Sequence, residues 1–123
     1  MKHAINWFEI PSGNFDRATA FYETLLGTPT KRELLGGIPN AILYTEQNER
    51  HEAVGGTVVF NPALKPGNAG VVPYLNCDGK LDAVVGRLSA AGGTVVLPKV
   101  DTPFGSLAII MDSEGNKIGL HSV

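Results

Sequence analysis

Cysteine is nearly missing from this chain of 123 residues: Cys77 stands alone. One thiol cannot close an internal disulfide, which fits a reducing, cytoplasmic setting. Basic clusters are missing as well, and the formal net charge is -2. Nothing here would neutralise a phosphate backbone, so nucleic acid is not the expected partner. No apolar run approaches the roughly 20 residues that a membrane helix needs, and no signal peptide is expected, so no membrane is either. A phosphate-cradling loop is absent, because Gly36-Gly37 precedes no helical pattern. No nucleophile sits beside a base, and Cys77 reads as a buried structural thiol. Catalytic residues are therefore unassigned, and a small organic molecule is the partner left open.

What is present is organised around one stretch. Residues Ala4 to Ile10 are mostly apolar and read as a strand that Pro11, lacking an N–H, brings to an end. Asn14 is then placed to cap a helix. Ala18, Phe21, Tyr22 and Leu25 fall on one face of that helix, and Gly27 supplies a left-handed stop. The unit comes back in the second half. Phe15-Asp16 recurs as Leu81-Asp82, and the stripe as Leu81, Val84, Val85 and Leu88, closed by Gly92-Gly93. The segment Val71 to Cys77 takes the place of the first strand. Self-similarity over half the chain means two copies of one supersecondary unit.

The remaining elements follow in order. Pro29 to Leu34 reads as a short exposed strand, Gly36 to Pro39 as a turn, Asn40 to Thr45 as a strand and Glu46 to Glu52 as a charged loop. Gly55 to Phe60 is strand-like, with β-branched Thr57, Val58 and Val59. After the second helix come strand Thr94 to Leu97, turn Thr102 to Gly105, strand Leu107 to Asp112, turn Ser113 to Asn116 and strand Lys117 to His121. The fold class is α+β, as two tandem βαβββ modules in a single domain over 1–123. Module one covers 1–63, a Pro- and Gly-rich connector 64–70, and module two 71–123. Two such sheets, each with a helix on one face, are expected to enclose a cavity.

Several segments carry a resemblance. They are Trp7-Phe8-Glu9-Ile10-Pro11, Asp16-Arg17-Ala18 with Phe21-Tyr22 and Leu26-Gly27, Tyr74-Leu75-Asn76, Ala91-Gly92-Gly93, and Met111 through Ser122 with its acidic-Gly-Asn turn. Spanning nearly the whole chain in order, they resemble the vicinal oxygen chelate superfamily of glyoxalase, bleomycin-resistance and extradiol-dioxygenase-like proteins. The resemblance implies paired βαβββ modules in a half-open barrel around one site, usually in a homodimer. It also implies where metal-dependent members keep their ligands: here Trp7, a position near Gly56 or Thr57, Val72 and Gly119. Those residues offer no adequate first shell for a divalent cation. A rearranged site could use His121 with Glu9, but one imidazole and one carboxylate hold a cation weakly. No metal or other cofactor is expected.

The same frame nominates a ligand-binding set of Trp7, Glu9, Tyr74, Asn76 and His121. If Phe8, Ile10, Leu75 and Cys77 pack on the helices, strand alternation turns the nominated residues to the other face. Each has a plainer reading. Trp7 could fill core, Tyr74 and Asn76 could satisfy nearby backbone, and Glu9 could be a solvated strand-end charge rather than a buried carboxylate. His121 could be a satisfied histidine, while His3, His51 and Glu52 read as surface groups. Two functions follow: a binding protein for a small, partly aromatic or apolar molecule, or a glyoxalase-like lyase, isomerase or dioxygenase with a displaced metal site.

Overall fold

The computed structural model describes residues 3–43 and 54–123. The expected charged loop Glu46 to Glu52, with His51, lies outside the described residues, as do Tyr44 and Thr45. Module one runs β1 (Trp7–Pro11), α1 (Phe15–Leu26), β2 (Thr30–Leu35), β3 (Ile38–Leu43) and β4 (Gly55–Val59). Module two runs β5 (Tyr74–Asn76), α2 (Leu81–Ala91), β6 (Thr94–Thr102), β7 (Gly105–Met111) and β8 (Lys117–Ser122). The two sheets are ordered β1-β4-β3-β2 and β5-β8-β7-β6, so the expected βαβββ pattern holds in both modules. In each sheet the first strand pairs parallel with the last, and the helix carries the chain from the first strand across to the second, at the far edge.

The helix signals act as their chemistry dictates. Asn14 is extended and its Oδ1 accepts from the Arg17 N–H at 3.0 Å. Gly27 closes α1 at φ 69°, its N–H donating to the Glu23 carbonyl. From α2, Arg87 Nε donates to the Leu25 carbonyl at 3.0 Å and satisfies another acceptor at the end of α1. The two stripes are buried: Ala18, Phe21, Tyr22 and Leu25 from α1, Leu81, Val84 and Leu88 from α2. The helices pack on each other, and one apolar cluster joins both to Ile10, Val58, Leu75, Ile118 and Leu120. Gly93 is required for space, since a Cβ there would sit 2.7 Å from the Met111 carbonyl and 2.6 Å from Leu88 Cδ1.

Several strand boundaries differ from the sequence expectation. The first strand starts at Trp7 rather than Ala4, and it includes Pro11 as its last residue. The strand opening module two covers only Tyr74–Asn76, not Val71 to Cys77. Pro73 has no N–H for the ladder, though its carbonyl accepts from Gly119, and Val71 ahead of it is 93% exposed. By contrast β6 runs on to Thr102 instead of stopping at Leu97. Register shifts between Val95 and Leu97 and between Leu97 and Val100 bulge the strand around Pro98, which an edge strand tolerates. The loop from strand to helix is also one residue longer in module two, 77–80 against 12–14, so strands and helices repeat with slightly different spacing.

Candidate functional site

Alternation sorts each sheet into a helix face and an open face. Phe8, packed against the core, and Ile10 and Val58, within it, take the helix side of the first sheet. That leaves Trp7 and Glu9 on the open side, paired with Gly55 and Thr57. In the second sheet, Leu75 and Cys77 are buried in the core, so Tyr74 and Asn76 take the open side beside Gly119 and His121. The register expected from the sequence is therefore the one formed. The five nominated residues fall into two groups, Trp7 with Glu9 on one sheet and Tyr74, Asn76 and His121 on the other.

Their surroundings differ. Trp7 is 43% exposed and lies outside the core cluster. Glu9 is an exposed strand carboxylate. Beside it Thr57 is buried, its hydroxyl donating to Asn40 Oδ1 at 3.0 Å. Tyr74 is 49% exposed, and its ring covers Gly119 so closely that a Cβ at 119 would run into three ring atoms. Asn76 Oδ1 accepts from the Asp78 N–H at 2.9 Å in a local turn leading towards α2. Next to it in register, His121 places Nε2 2.7 Å from the Phe104 carbonyl. A carbonyl only accepts, so Nε2 is the donor in this contact, and Nδ1 is an acceptor whenever the ring is neutral.

Two surface pockets lie elsewhere. One of about 330 Å³ is lined by Lys80, Leu81, Asp82, Lys99, Ser106 and Ser122 among others. A second, of about 200 Å³, lies between Phe15, Arg32, Glu33, Leu34, Pro39 and Asn40. Neither includes any of the five nominated residues.

The metal positions implied by the resemblance do not suit a cation. Trp7 and Val72 offer no donor, and the Thr57 hydroxyl is committed to Asn40. A carboxylate at position 119 would need the volume that Tyr74's ring fills. Among the described residues no group of three or more His, Cys, Asp or Glu converges. Cys77 is buried, and burial pushes its thiol up, away from reactivity.

Sequence reasoning missed the role of one polar cluster, although its turn stood out as a motif. Glu114, on the β7–β8 hairpin, accepts from the Gly13 and Asn14 amides at 2.8 Å each and from Arg17 Nε at 2.7 Å. Burial pushes its carboxyl up, but the bonds from Arg17, Asn14, Ser113 and Gly13 outweigh that and hold it at about 2. Asp112 Oδ1 accepts from the Glu114 and Asn116 amides, and Asn116 Nδ2 donates to the Pro11 carbonyl. The cluster ties the strand-to-helix turn of module one to the last hairpin of module two.

A family model for the glyoxalase/bleomycin resistance protein/dioxygenase superfamily matches residues 4–120. Among solved structures, the chain is similar to a glyoxalase/bleomycin resistance protein from Albidiferax ferrireducens T118, at 17% identity and TM-score 0.79, covering 98% of this chain and 99% of that one. It is also similar to a glyoxalase/bleomycin resistance protein from Streptomyces sp. CB03234, at 25% identity and TM-score 0.65, covering 96% and 99%. UcmS2 is similar at 23% identity and TM-score 0.65, with 98% of each chain covered. No curated protein gives a significant match.

Proposed function

Because the chain belongs to the glyoxalase/bleomycin resistance protein/dioxygenase superfamily, we propose that it binds a small organic molecule on the open faces of its sheets, without that superfamily's metal centre. The observation that carries this reading is the make-up of those faces. Two half-exposed aromatic rings, a carboxylate and an imidazole replace the donor set that a divalent cation requires. Trp7 and Tyr74 supply apolar surface, while Glu9, Asn76 and His121 supply orientation.

The reading includes a cytoplasmic homodimer whose subunits close the half-open site. It is supported by β6, an edge strand with Val95, Val96, Leu97 and Val100 exposed, and by Phe104 at the adjoining hairpin tip, 83% exposed. Apolar surface of this kind on a strand edge is ordinarily covered. Among the described residues no helix is long and apolar enough to cross a membrane.

A second reading, a metal-dependent lyase, isomerase or dioxygenase with a rearranged site, draws on the acceptor nitrogen left at His121 Nδ1. Elemental analysis of protein purified without added metal, followed by a glutathione-hemithioacetal assay, separates the two. Metal-free, inactive protein is the expected result. Stoichiometric zinc, nickel or iron with turnover would replace the binding reading by the enzymatic one. Sedimentation tests the dimer, which a stable monomer at micromolar concentration would contradict.

A further inference from the structure

Module two reaches α1 at its start, its middle and its end. At the start, Glu114 accepts from the Gly13 and Asn14 amides and pairs with Arg17 through Nε at 2.7 Å and Nη2 at 3.1 Å. The Glu114 side chain is shielded from solvent, so water and salt do little to weaken those bonds. Asn116, on the same hairpin, holds the Pro11 carbonyl at the close of β1 at 2.8 Å. Midway along the helix, Tyr22 donates to Asp112. At the end, Arg87 of α2 donates to the Leu25 carbonyl, with Nη2 3.3 Å from where a Cβ at Gly27 would stand.

A helix carries partial positive charge at its start and partial negative charge at its end. Module two answers with a carboxylate at one and a guanidinium at the other. α1 supplies little of this for itself. Its last turn has no basic residue, and the acid of its first turn, Asp16, is exposed and paired with Arg32 at 2.8 Å. At 12 residues the helix is also close to the shortest that holds together alone in water. α2 is anchored differently, within its own module. The Gly79 amide ahead of it donates to Ser122 on β8 at 3.0 Å, and Asp82 in its first turn pairs with Lys99 on β6 at 3.2 Å.

We propose that module two is a two-ended clamp on α1, and that releasing either end lets the β1–α1 corner open ahead of α2. The strand that enters this corner carries Trp7 and Glu9, so the clamp also sets how firmly that strand is held. No ligand is needed for the device to act, and it is independent of the small-molecule reading above.

Amide hydrogen exchange of the full chain, read by mass spectrometry on peptides from α1 and α2 side by side, tests this. Glu114→Gln removes the charge at the start of α1 while keeping an acceptor of the same size. Arg87→Met removes the guanidinium at the other end and keeps the aliphatic stem. Each variant should speed exchange in α1 by roughly tenfold, with α2 changing by less than about threefold. Arg87→Lys, which keeps a cation near the helix end, should recover part of the α1 protection lost in Arg87→Met. The two changes act at opposite ends of the helix, so if one variant fails to fold the other carries the test. Equal acceleration in both helices, or loss of the fold in both variants, would show that these contacts support the structure at large and would overturn the clamp. So would unchanged exchange in α1.

Discussion

Tyr22 on α1 donates a 2.6 Å hydrogen bond to Asp112 Oδ2 at the end of β7, joining the helix of module one to the last hairpin of module two. The phenol is fully buried, and burial together with the Asp112 carboxylate raises it well above the usual tyrosine range. It therefore stays a proton donor at every ordinary pH. Tyr22→Phe should destabilise the protein by about 1–3 kcal/mol, because Asp112 loses a charge-assisted bond inside the fold. Urea denaturation measures this, and an unchanged midpoint would show that the bond contributes nothing net.

Acid should unpick the neighbouring cluster. The Glu114 carboxyl titrates at about 2 in the fold against an ordinary 4.5, so the folded state binds that proton less readily than the unfolded one. Its stabilisation is complete above 4.5 and fades as the pH falls towards 2. The amount is on the order of 2 kcal/mol after allowance for the solvent around Arg17. Denaturation curves from pH 7 to pH 3 should lose stability in that window, and Glu114→Gln should flatten the loss while lowering stability at pH 7.

Two glycines should respond oppositely to alanine. At Gly93 the new methyl would meet the Met111 carbonyl and the Leu88 side chain, and destabilisation of about 1–3 kcal/mol is expected. Gly86 lies within α2 with open space around its Cβ direction, so Gly86→Ala should stabilise by about 0.5–1 kcal/mol. Thermal melts of both variants check the pair, and a shared sign would contradict the packing described.

Cys77 should be chemically silent in the native protein. It is buried and its thiol is pushed up by that burial, so a thiol-specific disulfide reagent should label it only at the rate of unfolding. Rapid stoichiometric labelling of native protein would mean that β5 opens locally.

Much of the fold was legible because its signals are local. The stripe Ala18, Phe21, Tyr22 and Leu25, the Asn14 cap and the Gly27 stop each act within a few residues of where they are read. Strand alternation turned Trp7 and Tyr74 away from the helices for the same reason. The length of β6 was hidden by Pro98, since a bulge that absorbs a proline in an edge strand depends on the partner strand. The brevity of β5 depends likewise on which carbonyls β8 can reach. Glu114 stood in a visible turn, but its partners at Gly13, Asn14 and Arg17 are distant in sequence and no period points to them. For the same reason the sequence did not show that His121 is held by Phe104, whereas the Asn76 bond to the Asp78 amide is local and is the plainer reading the sequence offered.

That cluster also makes the start of the chain depend on a hairpin made last. Glu114 lies 97 to 101 residues from the groups it holds at the start of α1, and Asn116 lies 105 residues from the Pro11 carbonyl. While module one emerges, its first helix has its Asn14 cap but lacks the carboxylate that anchors its leading turn. The stripe of α1 also lacks α2 to pack against until the second half has followed. Closing so long a loop is slow, and the contacts that reward it come last. The leading turn of module one is therefore complete only when the last hairpin of module two is in place against it.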